Sequence, residues 1–163
     1  MVADANWEKR LAELWAEIDT LDEDVFAGRM EELTGELPPG SAIGFFERAG
    51  AFDSTGHSDR AVPLYEAALA AGLTGERRRR AVIQMASSLR NLGKPEDSVR
   101  LLTAELGAQS DELDGAVAAI LALALVELGR EREAVGVAVG ALAKYLPRYN
   151  RSMARYAQAL LDS

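Results

Sequence analysis

Polar side chains on one predicted helix, residues 75–92, supply the most specific chemistry that the sequence offers. Arg80, Gln84, Ser87 and Asn91 follow one another at i, i+4, i+7 and i+11, which places them on one helical face. Arg90 adds a second guanidinium beside that face. A guanidinium donates two parallel hydrogen bonds to a carboxylate, and side-chain amides can bind peptide main chain. The pattern predicts a surface that binds a protein segment; the alternative is a solvated helix face.

The sequence lacks the residue types and spacings that are typical of catalytic and cofactor-binding sites. The chain has no cysteine and one histidine, which excludes thiol nucleophiles, Cys-ligated metals and most His-based metal sites. His57 is adjacent to Ser58 and Asp59, whereas the members of a catalytic triad converge in space from separate parts of a chain. The Gly-Lys-Pro segment 93–95 lacks the hydroxyl residue and the upstream glycine of a phosphate-binding loop. We expect no catalytic activity, no cofactor and no metal.

Negative charge is concentrated near the N-terminus. The chain has 18 basic and 26 acidic residues, a net charge of −8, and residues 1–36 hold 11 of the acids and 3 of the bases. A nucleic-acid binder needs a net basic face, and the four arginines 77–80 point in all directions around a helix. The longest apolar run, 115–126, is shorter than the roughly 20 residues that span a bilayer. We therefore expect a cytoplasmic protein that binds neither nucleic acid nor membrane.

Helix is predicted for almost the whole chain. Alanine and leucine are abundant, and apolar residues recur at i, i+3, i+4 and i+7 in most windows. Glycine and proline breakers separate nine predicted helices, at 4–19, 22–37, 41–55, 58–71, 75–92, 95–107, 111–129, 131–145 and 148–162. A length of 163 residues predicts a single domain.

Three glycines mark an internal repeat. Gly56, Gly93 and Gly129 each end a predicted helix, at spacings of 37 and 36 residues. Residues in register with them are small, namely Ala49, Ala86 and Ala122 before them and Ala61, Ser98 and Ala134 after them. Two further positions recur with the same spacing and are large and apolar except at Ala138. They are Phe52, Leu89 and Leu125, and Tyr65, Leu102 and Ala138. Small residues in fixed register let paired helices approach closely, and bulky neighbours fill the space around the contact.

This arrangement resembles tetratricopeptide (TPR) repeats, whose helix–turn–helix unit has 34 residues. The resemblance covers residues 41–147 as three units within one TPR domain, 1–163. It implies an all-α, right-handed α-solenoid of antiparallel helix pairs. Residues 1–39 are either an N-terminal helical hairpin or a decayed repeat, because Trp15 stands where a small residue is expected. Residues 148–163 resemble the C-terminal cap helix of such arrays.

The resemblance also implies a concave groove lined by the first helix of each pair. Its expected lining residues are Phe46, Glu47, Gly50 and Asp53 on the first unit, Arg80, Gln84, Ser87, Arg90 and Asn91 on the second, and Leu123 and Glu127 on the third. We expect a non-catalytic scaffold or adaptor that binds a protein or peptide partner of open identity in this groove.

Two other hypotheses rest on other residues. Gly136 and Gly140, four apart on one helix, indicate the close approach of another helix, either within the stack or in a second copy. Together with the apolar Leu123 and Val126, they leave open a self-assembling homo-oligomer with no dedicated peptide ligand. The acidic N-terminal hairpin could also fold over the groove and meet Arg80 and Arg90.

Overall fold

Helix is the regular structure of the whole described part of the chain. The computed structural model describes residues 3–108 and 110–162. The nine helices in those residues are α1 (Ala5–Ala16), α2 (Glu23–Gly35), α3 (Ala42–Ser54), α4 (Ser58–Ala70), α5 (Gly75–Asn91), α6 (Pro95–Leu106), α7 (Asp114–Glu127), α8 (Glu131–Ala143) and α9 (Asn150–Leu161). The nine predicted helices and the all-α class are confirmed, and each helix is one to three residues shorter than predicted at one or both ends. The predicted hairpin, turn and cap include positions outside the described residues, namely Met1, Val2, Gln109 and Ser163.

Short polar side chains and one proline set where several helices begin. The Asp4 carboxylate accepts a hydrogen bond from the Trp7 backbone N–H at 2.8 Å, and the Ser41 hydroxyl accepts one from the Gly44 N–H at 3.3 Å. These side chains satisfy amides that have no partner in the first turn of a helix. Pro95 is the first residue of α6, where its missing N–H removes no helical hydrogen bond.

The three repeat glycines adopt one backbone conformation. Gly56, Gly93 and Gly129 have φ of 81°, 72° and 68°, a left-handed region that side chains with a Cβ disfavour. In each turn, the residue after the glycine donates its N–H to the carbonyl five positions earlier. These pairs are His57 with Phe52 at 2.8 Å, Lys94 with Leu89 at 3.0 Å, and Arg130 with Leu125 at 2.9 Å. Each turn is therefore the same Schellman helix ending, and the sequence repeat is a structural repeat.

One compact unit, the N-terminal unit (Met1–Ser88), contains α1 to α4 and the first part of α5. Within it, α2 packs against α1 and α3, and α3 packs against α4. The repeated small residues Ala49 and Ala61 are fully buried. Beside them the rings of Phe46 and Tyr65 are 6.2 Å apart between centroids. The small positions of the first repeat and the bulky Tyr65 thus lie in the core, as predicted. Phe52 is only half-buried, and Phe46, expected from the sequence to line the groove, is buried in the core instead.

The C-terminal unit (Leu89–Ser163) contains the end of α5 and helices α6 to α9. Each helix from α6 to α9 packs against the next along the chain. The repeated small residues Ser98, Ala122 and Ala134 are buried. Ala138 departs from its expected packing role and is exposed. Gly136 faces α9. Because an α-helix turns by about 100° per residue, position 138 lies about 200° further round α8, on the side away from α9.

The boundary between the two units falls inside α5. The single domain expected from the length of the chain stays a prediction.

Candidate partner-binding groove

A charged network joins α1, α3 and α5 inside the N-terminal unit. The two Nη atoms of Arg77 donate to the Glu8 carboxylate at 2.9 and 2.6 Å, and its Nε donates to Glu47 at 3.0 Å. The indole N–H of Trp15 donates to the other Glu47 oxygen at 3.0 Å. Arg77 therefore bridges carboxylates from two helices, and together with Trp15 it fixes α1 against α3.

Burial explains why Glu47 needs these partners. The residue is 3% exposed, and a buried carboxylate is strongly destabilising unless charge and hydrogen bonds compensate it. Arg77 supplies the charge, and the hydrogen bond to Glu8 in turn raises the pKa of Arg77 above its ordinary value. Glu47, expected from the sequence to line the groove, thus anchors the groove wall and has both carboxylate oxygens engaged.

Trp15 and Gly50 form a complementary pair. A Cβ at Gly50 would lie 3.3 Å from two carbons of the Trp15 ring, which is closer than nearly all real Cβ contacts. The bulky residue that breaks the small-residue pattern in α1 is therefore accommodated by a glycine in α3. Gly50 and Phe46, both expected to line the groove, are buried, because Trp15 covers Gly50 and the Arg80 guanidinium lies 5.4 Å from the Phe46 ring centroid.

An open groove of about 370 Å³ lies above this network, within the N-terminal unit. We call it the N-terminal groove; it is lined by Glu8, Leu11, Ala12, Trp15, Glu47, Ser54, Arg77, Arg80 and Gln84. Arg80 forms no ion pair among the described residues, and the buried Oε1 atom of Gln84 has no hydrogen-bond donor there. The groove therefore presents one uncompensated cation beside the apolar wall of α1, and one unsatisfied acceptor is buried in its lining.

Asp53 belongs to a separate network below the groove. Its carboxylate accepts hydrogen bonds from the Ser88 hydroxyl at 2.5 Å and from the Tyr65 hydroxyl at 3.4 Å. Burial raises the pKa of Asp53 above its ordinary value of 3.8. Burial and the nearby Asp53 charge likewise raise the pKa of Tyr65. Asp53 joins α3, α4 and α5, so its position is fixed by the protein rather than left free for a ligand.

The remaining expected groove residues divide between the two units. Ser87 is half-buried in the N-terminal unit. In the C-terminal unit, Arg90 donates to Glu127 at 2.6 Å and to the Asn91 side-chain oxygen at 3.1 Å. Leu123 is 53% exposed on α7. The arginines on the polar face predicted for α5 therefore differ in their ionic contacts. Arg90 already has a carboxylate partner, and Arg80 has none among the described residues.

Sequence reasoning raised a contribution of the N-terminal hairpin to the groove but missed which residues of α1 line it. The hypothesis that the acidic hairpin meets Arg80 and Arg90 is wrong about the residues, because α1 reaches Arg77 through Glu8 instead. Arg77 sits one turn closer to the start of α5 than Arg80. The apolar stripe of Leu11 and Trp15 was the available signal, since such a stripe must pack against a neighbouring helix.

Gly136 and Gly140 belong to the packing of α8 on α9. A Cβ at Gly136 would lie 2.8 Å from a methyl carbon of Leu161, and one at Gly140 would lie 3.6 Å from the Ala157 Cβ. The close helix approach indicated by the two glycines is thus made within the C-terminal unit. Leu123 and Val126 on α7 remain exposed.

Helix pairs with identical glycine turns 36 and 37 residues apart define a helical-repeat protein. Residues 42–160 match the family model described as Tetratrico peptide repeat, so the chain belongs to the tetratricopeptide repeat family. Neither the curated proteins nor the solved structures give a match. Repeats of this family generally mediate protein–protein interaction or scaffolding and are generally not catalytic.

The family match leaves residues 3–39 outside it. Whether α1 and α2 are a hairpin or a decayed repeat stays open. No helix within residues 3–108 and 110–162 is both long and apolar enough to cross a membrane.

Proposed function

We propose that this protein is a non-catalytic adaptor that binds a segment of a partner protein in the N-terminal groove. The observation that carries the proposal is the pairing of an uncompensated Arg80 with the unsatisfied Oε1 of Gln84 in one open groove. A protein segment can offer a carboxylate to the first, and an N–H to the second once the Gln84 side chain turns toward the groove. The apolar side chains of Leu11 and Trp15 on the facing wall can accept one apolar side chain of the segment.

The chemistry around the groove supports a peptide rather than a reacting small molecule. Glu8, Glu47 and Arg77 compensate one another, so no free acid–base pair is left among them. Asp53 is committed to Ser88 and Tyr65. The proposal therefore includes neither a cofactor nor a metal. It also assumes a cytoplasmic protein, as expected from the sequence.

A displayed library of random peptides tests the proposal because it samples many segment sequences at once. We expect selection on the intact protein to enrich a peptide family, whose affinity is then measured by calorimetric titration. Arg80→Glu replaces the cation that the ligand contacts, and we expect it to weaken binding at least about tenfold, as for loss of a charged hydrogen bond.

Lys94→Glu is the matched control. It makes the same change in net charge on an exposed residue of the C-terminal unit, outside the groove. We expect it to leave the affinity unchanged. Binding that is lost equally in both variants, or retained in Arg80→Glu, contradicts the assignment of the site.

Self-assembly is the second candidate function, and one observation favours it. The outward face of α7 is apolar over three turns and ends at Glu127; its exposed or half-buried residues are Ala116, Ala119, Ile120, Leu123 and Val126. A second copy could cover this stripe. In that case Leu123→Ser with Val126→Ser lowers the mass measured by light scattering, whereas Arg80→Glu does not.

A further inference from the structure

A basic, aromatic surface lies at the end of the C-terminal unit, away from α7. We call it the basic face; its residues are Arg148, Tyr149, Arg151, Arg155 and Tyr156. All five are exposed, with Tyr149 at 75% and Tyr156 at 56%. The three arginines form no ion pair with any described carboxylate, and the segment 134–161 contains four basic residues and no acidic one.

The stability of α9 does not explain these arginines. Arg148 precedes the helix and Arg151 lies in its first turn, at the positive end of the helix dipole, where cations are unfavourable. The first turn of α9 contains no acidic residue to offset them. Exposed arginine and tyrosine are also the residue types that protein interfaces favour. A complementary partner for this face would be an acidic surface with some apolar area.

The turn between α1 and α2 and the first turn of α2 together carry such a surface. We call it the acidic corner; its residues are Asp19, Asp22, Glu23, Asp24 and Val25. The four carboxylates are exposed and form no ion pair with any described base. Val25 is 50% exposed, and no other large apolar side chain of residues 3–88 is exposed. The corner therefore has four exposed acids without an ion pair close in sequence to one exposed apolar side chain, and one of the acids, Asp22, also caps α2.

We propose that the acidic corner of one copy docks on the basic face of a second copy. The charges are opposite, and Val25 can pack on the exposed rings of Tyr149 and Tyr156 while the carboxylates meet the arginines. The contact uses different surfaces on the two copies, so the first copy keeps a free basic face and the second keeps a free acidic corner. Such a heterologous contact repeats head to tail. It involves no residue of the N-terminal groove, so it is independent of the proposed partner binding.

Two variants in which uncharged amides replace the charged side chains test the contact. The face variant R148Q/R151Q/R155Q keeps an intact corner, and the corner variant D19N/D22N/E23Q/D24N keeps an intact face. Asn at position 22 preserves the helix N-cap. Circular dichroism establishes that both variants are folded. Sedimentation velocity then gives the mass of each variant, of an equimolar mixture and of the wild type at about 20 mM and about 500 mM salt.

We expect the mass of the wild type to rise with concentration at low salt and to return to the 17.5 kDa of one chain at high salt. Each variant alone has lost one half of the contact and stays at the mass of one chain. The mixture forms a 1:1 complex of twice that mass and nothing larger, because each partner can use only its intact half. The contact in the mixture weakens at least about tenfold at the higher salt.

The variant K94Q/R100Q/R130Q is the matched control. It removes three positive charges from exposed residues of the C-terminal unit outside the basic face. We expect it to assemble as the wild type does. A wild type that keeps the mass of one chain at every concentration at low salt overturns the proposal. A mixture that fails to form the 1:1 complex, or an association that strengthens with salt as the apolar α7 stripe predicts, overturns it as well.

Discussion

The N-terminal and C-terminal units are built from the same repeat but differ in how they treat polar and apolar side chains. The N-terminal unit has a partly buried charged network centred on the buried Glu47 and exposes one large apolar side chain, that of Val25. The C-terminal unit leaves many large apolar side chains exposed: Leu92, Leu106, Leu123, Val126, Val135, Leu142, Tyr145, Tyr149, Tyr156 and Leu161. The difference shows that the repeat pattern fixes the helix pairs and leaves the surface chemistry of each unit free to vary.

This contrast explains why the proposed ligand site lies in the N-terminal unit. Three helices from distant parts of the sequence meet there and are held by Arg77, so the groove is preorganised before a ligand binds. The exposed stripe of α7 has apolar area and one polar end. A preorganised polar site gives specificity, whereas an apolar stripe gives area without orientation.

The largest expected effect concerns the network that distinguishes the N-terminal unit. Arg77→Ala breaks both arms of the bridge and leaves Glu47 buried with one hydrogen bond, so we expect the free energy of unfolding to fall by about 3 kcal/mol. The neighbouring Arg80→Ala loses only a contact with the Phe46 ring, about 0.5 kcal/mol.

Both tryptophans of the chain, Trp7 and Trp15, lie in this unit, so urea unfolding followed by their fluorescence reports on it. Equal losses in the two variants would contradict the network.

A smaller effect separates the two glycines of α8. Gly136→Ala places a Cβ 2.8 Å from the Leu161 side chain and 3.1 Å from the Ala157 carbonyl oxygen, so α9 must shift, at about 1–2 kcal/mol. At Gly140 a Cβ has ordinary contact distances, and alanine favours helix over glycine by up to about 1 kcal/mol. We therefore expect Gly140→Ala to keep or raise stability. Thermal unfolding followed by circular dichroism measures both, and destabilisation by Gly140→Ala as large as that by Gly136→Ala would contradict the packing.

The smallest effect is a dependence of stability on pH in the N-terminal unit. Because the folded state raises the pKa of Asp53 above 3.8, it binds the proton more tightly than the unfolded state. The resulting stabilisation is complete below pH 3.8 and is lost as the pH rises through the raised value. Asp53→Asn cannot titrate at this position. The wild type should therefore lose stability relative to Asp53→Asn as the pH increases from about 4 to 7.

Urea unfolding at several pH values, again followed by tryptophan fluorescence, measures that difference. The other titrating groups are shared by the two proteins, and their contributions cancel. A wild type that instead gains stability relative to Asp53→Asn over this range would show that the folded state favours the ionised carboxyl.

The helices and the repeat were predictable because they depend on local chemistry. Gly56, Gly93 and Gly129 stand where only a residue without a Cβ adopts the required backbone easily, and the sequence spacing reveals them directly. The buried small residues follow from the same register. Ala138 is the exception, because α9 rather than the repeat partner determines which side of α8 is covered.

The site was only partly predictable because it depends on pairing across the chain. Periodicity showed which face of α5 is polar but not that Glu8, 69 positions away, would take Arg77 and leave Arg80 unpaired. It also could not show that Trp15 covers Gly50. Such pairs depend on how two helices are placed relative to each other, and helical periodicity in one segment contains no information on its neighbour's register.

The measurement that tests the central claim most directly maps a selected peptide onto the protein by nuclear magnetic resonance. The claim is that the N-terminal groove, and not the α7 stripe, binds the partner segment. With uniformly ¹⁵N-labelled protein, we predict that the peptide shifts the amide signals of Leu11, Ala12, Arg80 and Gln84 and leaves those of α7 unchanged. Shifts concentrated around Leu123, with the groove signals unmoved, would contradict the account.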